Sequence, residues 1–275
     1  MRRLVPLLLL CNVATAAEGF MLGGGVEGDS DDGLSFAALG GVGLTEKTWL
    51  TAALARSAVD LADGRELETD YADIELDHHF DPIGIRLGAA YWGDSDVLTS
   101  NDWRASGYFK NDAVTVSLDY EYRDFELIIP ATNFSPGRRL LFDADGFGLS
   151  ARIATSDTTS LRLRGIKYDY SVPFRPVENV DAARLLSVSR LSLINSLVDH
   201  RAGVTLSIEV GDSAWDIDLT TWEGAINGSR TKSLTVRFLT PLSQRTDAEF
   251  GIGYDDSELY GDVTFFSLYL FFYGD

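Results

Sequence analysis

Cysteine is nearly missing from this 275-residue chain; Cys11 is the single one. A disulfide framework and a thiolate metal centre are therefore excluded. Histidine is almost as scarce, with only His78, His79 and His200. Basic residues are few, 23 against 42 acids, for a formal charge of −19. With no basic block, a nucleic-acid partner is excluded. No apolar run after residue 17 reaches the ~18–20 residues that a membrane-spanning helix needs. The hydrophobic fraction, 45%, is ordinary, so the chain has enough apolar surface to fold.

The first residues read as an export signal. Arg2 and Arg3 precede the apolar stretch Leu4–Leu10, and Ala14-Thr15-Ala16 supplies small residues at the cleavage positions. This reading divides the chain into a signal peptide, 1–16, and a mature part, 17–275. Leu10 is too large for the residue before a lipidated cysteine, so Cys11 is not read as a lipid anchor. Removing 1–16 takes two arginines and no acid, which moves the formal charge from −19 to −21.

Most of the remaining chain alternates with period 2, the mark of strands with unlike faces. In 113–123, Val114, Val116, Leu118, Tyr120 and Tyr122 oppose Thr115, Ser117, Asp119, Glu121 and Arg123. In 71–80, Ala72, Ile74 and Leu76 oppose Tyr71, Asp73, Glu75 and Asp77. Segments 201–210 and 214–222 behave alike, and weaker versions give about 14 strands in all. Short and long links alternate between them: 44–47, 81–82, 111–112, 154–157, 211–212 and 241–244 are short. The pattern predicts an all-β protein, an up-and-down antiparallel barrel with tight turns at one end and loops at the other.

A soluble sandwich also alternates. Three features favour a transmembrane barrel over a secreted soluble protein. The strands approach the ~9–11 residues that cross a bilayer at a tilt. Aromatic residues gather at predicted strand ends, which suggests a girdle of Trp49, Trp92, Trp103, Tyr122, Trp215 and Trp222 at the membrane interfaces. The polar face carries full charges in mid-strand. On the assigned phase the lumen-lining charges are Asp73, Glu75, Asp77, Arg86, Arg104, Asp119, Glu121, Arg152, Arg162, Arg164, Arg201, Glu209, Asp216, Asp218, Arg237 and Glu249. Acids and arginines segregate by strand, which would set up a transverse field across a water-filled pore. An internal salt-bridge network is the alternative.

The last predicted strand runs Val263-Thr-Phe-Phe-Ser-Leu-Tyr-Leu-Phe-Phe-Tyr273, followed by Gly274-Asp275. It resembles the aromatic-rich closing strand of Gram-negative outer-membrane β-barrels, and the resemblance, one of pattern, covers the whole mature chain. The class is porin-like. The resemblance implies location in the bacterial outer membrane, contact with its lipid and lipopolysaccharide, and recognition of the closing strand by the barrel-insertion machinery. Closure must pair the bulky last strand with a first strand bearing Gly23, Gly24 and Gly25. The glycines either make room for it or simply permit curvature.

One segment breaks the alternation. Across 178–198, apolar residues recur at three- and four-residue steps, which predicts a short helical segment within the longest loop. Leu185, Leu186, Leu191, Ile194 and Leu197 mark it as a constriction loop, with a rim-packed helix or a plug as alternatives.

Motifs for chemistry fail in context. Gly23-Gly24-Gly25-Val26-Glu27-Gly28 fits a dinucleotide fingerprint but sits in a strand, not before a helix. Ser229-Arg230-Thr231-Lys232 lacks its partner motifs. His78 and His79 are strand neighbours and point to opposite faces. No cofactor, metal or catalytic residue is assigned. The sequence reading is a channel passing or exporting small polar solutes through a charged lumen restricted by the 171–199 loop. A non-conducting structural or surface-binding barrel is the alternative; a lipid-modifying enzyme using His200 is a third.

Overall fold

A strand with one apolar and one ionic face leaves two problems: a row of unpaired backbone groups at each sheet edge, and a greasy face. A closed cylinder removes every edge. The computed structural model describes residues 19–60, 66–129, 137–172, 197–225, 228–258 and 261–274. They form fourteen antiparallel strands: β1 (Phe20–Asp29), β2 (Leu34–Thr45), β3 (Thr48–Asp60), β4 (Glu66–His79), β5 (Ile83–Asp94), β6 (Leu98–Lys110), β7 (Val114–Ile129), β8 (Arg138–Ser156), β9 (Thr159–Tyr170), β10 (Val198–Val210), β11 (Ser213–Gly224), β12 (Arg230–Ser243), β13 (Thr246–Ser257) and β14 (Gly261–Gly274). Each strand pairs with its sequence neighbours, and β1 closes the barrel against β14, from Phe20↔Gly274 to Asp29↔Phe265.

The asymmetry between the two ends is weaker than the sequence indicates: the links 95–97 and 258–260, expected to be long, are three residues each, while 171–197 is long. At the short-turn end two or three residues join successive strands. Asn111 shows how such a turn is held: its Oδ1 accepts from the backbone N–H groups of Ala113 and Val114 at 3.0 and 2.8 Å. The expected signal segment and most of the expected helical loop, including Leu185, Leu186, Leu191 and Ile194, lie outside the described residues.

β4 and β6–β8 run further toward the long-loop end than their alternation predicts. β7 and β8 extend to Ile129 and Arg138 instead of stopping near 123 and 147. The cause is an inversion of the pattern. Low on β7 the outward side chains are apolar, and Leu118 is 69% exposed. Above Arg123 the outward residues are Asp124 and Glu126, while Phe125 and Leu127 face inward and are 1% exposed. A strand that leaves lipid for water must turn its apolar side in. Charged contacts mark the same level elsewhere on the outer face: Arg56 with Asp70 at 2.7 Å, Arg139 with Glu126 at 2.8 Å, and Arg230 with Glu223 at 2.8 Å. Below that level Leu54, Ile74, Leu87, Trp103, Phe147, Leu219 and Ile252 are exposed around the wall. On β7 the apolar side spans Val114 to Tyr122. At ~3.3 Å per residue and a ~40° tilt, that gives roughly 20 Å of height, close to the ~25 Å band of membrane barrels.

Two of the three glycines of β1, Gly23 and Gly25, make room for the last strand. Gly23 and Gly25 pair with Phe271 and Tyr269. A Cβ on Gly25 would collide with the Tyr269 ring, and one on Gly23 would come within 2.9 Å of Phe271. On the other flank, the Phe265 ring covers Gly253. The inward rings of β14, Phe265, Tyr269 and Phe271, are therefore packed against the wall over glycine.

Candidate functional site: the charged interior

Cross-strand pairing fixes which side chains share a face. Glu75, Gly88 and Arg104 are paired across β4, β5 and β6; Arg164 and Gly203 pair across β9 and β10; and Asp216 and Arg237 across β11 and β12. A cavity of about 550 Å³ is lined together by Glu27 of β1, Leu39 of β2, Arg164 of β9, Arg201 of β10, Asp218 of β11, Arg237 of β12, Glu249 of β13 and Tyr269 of β14. Only the inner face of a cylinder brings those strands to one space. Extending this phase by the register puts Asp73, Asp77, Arg86, Asp119, Glu121, Arg152, Arg162, Glu209 and Asp216 on the inner face too.

Two ionic clusters occupy this face. On β4–β6, Arg104 Nη2 donates to both oxygens of Asp73 at 2.7 Å, and the Tyr71 hydroxyl donates to the same carboxylate at 2.5 Å. Nearer the short-turn end, Tyr108 donates to Asp77 at 2.6 Å, and the Arg86 guanidinium lies over the Tyr108 ring at 5.4 Å. On β9–β11, Asp218 accepts from Arg164 at 2.9 Å, Thr205 at 2.7 Å and Thr220 at 2.5 Å. Arg237 stands 3.8 Å from Asp216. Arg152 and Arg162 are direct cross-strand partners, like charges side by side on β8 and β9. A second space, about 220 Å³, is lined by Glu75, Arg104, Asp119 and Glu121 together with Arg164 and Arg201, so the acidic and basic walls meet across the interior.

The lumen residues singled out in the sequence leave out several inner charges, among them Glu27, Asp102, Asp255 and Arg123, although the alternation of 113–123 already sets Arg123 beside Asp119 and Glu121. Arg123 is buried and lies 3.2 Å from Asp102 and 3.5 Å from Glu121, with its guanidinium 4.8 Å from the Phe125 ring centroid. Ser100 donates to Asp102. Glu27 shares the odd-numbered phase of Gly23 and Gly25, a signal present in the sequence. Asp102 falls where alternation fades into a long link.

Above Arg123 the interior turns apolar. Trp92, Leu98, Phe125, Leu127, Phe142, Ala144, Tyr168 and Leu197 form one buried cluster, with Phe125 stacked on Phe142 at 4.9 Å. Leu197, where the 171–197 connection returns to β10, is 3% exposed. The cluster fills the β5–β9 side of the long-loop end, while the larger cavity lies against β1, β2 and β9–β14.

The expected girdle needs correction. Trp103, Tyr122 and Trp215 carry the outward phase. Trp92 and Trp222 face inward and are buried, 4% and 6% exposed. Trp92 pairs with Tyr71 and Trp222 with Arg201. Trp49 shares the inner phase of its partner Asp77. The barrel mouth needs large inward side chains where the pattern inverts, and tryptophan serves there as well as at an interface. The acidic run at 29–32 is a capped loop. Asp29 Oδ1 accepts from the backbone N–H groups of Asp31 and Gly33 at 2.9 and 2.8 Å. Partial burial, and then Asp29 and Asp32, push the Asp31 carboxyl up.

No protein-family model matches the sequence, and no curated protein matches it. Solved structures do. A monoaromatic hydrocarbon channel, CymD, superposes with a TM-score of 0.57 at 9% identity, covering 97% of this chain and 92% of that one. OmpT of Vibrio cholerae, expressed in the outer membrane, gives 0.53 at 8% identity, covering 94% and 97%. An anion-selective porin from Comamonas acidovorans gives 0.50 at 11% identity, covering 94% and 99%. With its closed fourteen-strand wall, apolar outside and ionic inside, this chain has the fold of the outer-membrane porins and channels.

Proposed function

We propose that this protein is a porin-like channel of the bacterial outer membrane, through which small polar solutes pass by diffusion. The observation that carries the reading is the ionic cavity enclosed by strands whose outer faces are apolar. Lipid favours the outside, and water and solute favour the inside. On this reading the short-turn end faces the periplasm and the long loops face outward. Outer-membrane lipid and lipopolysaccharide surround the wall, and the insertion machinery engages β14.

The sixteen lumen charges would act together. Acids on β4 and β7 facing arginines on β8–β10 produce a field that orients a dipolar solute without holding it tightly. Acids outnumber arginines nine to seven among these sixteen, and twelve to eight with Glu27, Asp102, Asp255 and Arg123 included, which favours cations. The apolar cluster narrows the long-loop end, and the 171–199 loop, anchored through Leu197, restricts the opening further.

The cluster also favours a second reading, a non-conducting barrel whose mouth is filled. Purified protein in a planar lipid bilayer separates the two. The channel reading expects stepwise conductance with a cation-preferring reversal potential in a salt gradient. A barrel that inserts, as shown by protease protection, yet gives no current supports the filled form.

A further inference from the structure

We propose that Asp199, His200 and Glu223 form a binding site for a divalent transition-metal ion of the zinc type, on the outer rim of the barrel. Neighbours on a regular strand point to opposite faces, so Asp199 and His200 should not meet. Here the β10–β11 register slips between Val198 and His200: Val198 pairs with Gly224 and His200 with Glu223, leaving Asp199 as the extra residue of a bulge. Bulges re-aim side chains in this way. The result brings Asp199 Oδ2 to 2.8 Å from His200 Nδ1, while Glu223 stands directly across the ladder. One donor atom from each of the three residues lies within 4.8 Å of the others, and all three residues are half-buried.

The donor set selects the ion. One imidazole nitrogen with two carboxylates suits zinc, cobalt or nickel; calcium and magnesium prefer oxygen alone. Three protein ligands leave a coordination position for water or an outside ligand. Glu223 also accepts from Arg230 Nε at 2.8 Å, a contact that fixes the carboxylate. The site sits at the root of the long connection. Ala225 N–H donates to Leu197 O and the Tyr170 hydroxyl to Val198 O, both at 2.8 Å. A bound ion would therefore clamp the return of that connection to the β10–β11 hairpin.

Arg230 and the exposed Lys167, the other cross-strand neighbour of His200, supply the rival explanation: a plain row of ion pairs. Cobalt titration of the full untagged barrel, refolded without lipopolysaccharide, distinguishes them. The metal site expects saturable one-to-one binding with visible absorption bands, reversed by zinc and not by millimolar magnesium. H200A and H200Q are expected to abolish it. D199N and E223Q are expected to weaken it at least about tenfold, by analogy with losses in metal affinity. A variant carrying H78A and H79A, at the opposite end, is expected to bind normally. Absent or non-saturable binding overturns the proposal. So does unchanged binding in H200Q with the barrel folded, as read by heat-modifiable gel mobility.

Discussion

At the scale of single residues, the tightest constraints come from what a side chain replaces. Gly25 leaves the space that the Tyr269 ring occupies. Gly25→Val is expected to force that ring off the wall and destabilise the barrel by about 1–3 kcal/mol, the usual range for overpacking. Urea unfolding in detergent checks it, and Tyr269→Ala should restore part of the loss. Arg123 is a different case: its guanidinium neutralises Asp102 and Glu121 inside the mouth. Arg123→Met leaves those carboxylates without their cation, and a loss of about 3–5 kcal/mol is expected, as for broken buried pairs. Adding Asp102→Asn should recover part of it. A double-mutant cycle on thermal unfolding reads the coupling.

At the scale of the strand, the outward face should punish charge according to depth. Leu118→Arg, in the middle of the apolar stretch of β7, is expected to cost about 2–4 kcal/mol, and Ile128→Arg, beyond the inversion, close to nothing. Equal costs at both positions, measured by refolding into lipid vesicles, would mean that the band is misplaced. Inner charges predict a second outcome. Replacing Arg152 and Arg162 together by glutamate turns a basic cross-strand pair on β8 and β9 into an acidic one and should raise cation preference, read as a shift in reversal potential. All fourteen strands were legible because an apolar outer face and an ionic inner face impose a period of 2, clearest from Val114 to Tyr122. The upper ends of β4 and β6–β8 were not legible, because above the level of Arg123 the apolar residues turn inward; those of β2 and β9 were. The tryptophans show the limit on the site. Trp92 has the same parity as Arg86, and Trp222 the same parity as Asp218, so the phase already placed them inside. Residue type, read alone, sent them to the interface. The pairing of Asp199 with His200 left no trace in the sequence, because a bulge has no periodicity.

At the scale of the whole molecule, the interior is lopsided. Apolar packing fills the β5–β9 side of the mouth, and the open cavity lies against the side where aromatic rings are pressed onto glycine. On the proposed channel reading, a solute would travel off-axis, along β9–β14. Arg201→Ala and Arg237→Ala, on that path, are expected to change single-channel conductance more than Arg86→Ala does, although all three lie on the inner face. Equal effects would point to a centred pore.

The pairing between β1 and β14 has a further consequence. Every other ladder joins strands that follow one another along the chain, so thirteen hairpin contacts can form locally and early. The remaining one joins Phe20 to Gly274, a loop of nearly the whole polypeptide. Closing so long a loop raises the entropic cost only logarithmically, but it delays the event. Assembly should thus wait on one final stitch, and until that stitch is made the nascent sheet carries two raw margins, ready to pair with whichever strand arrives first.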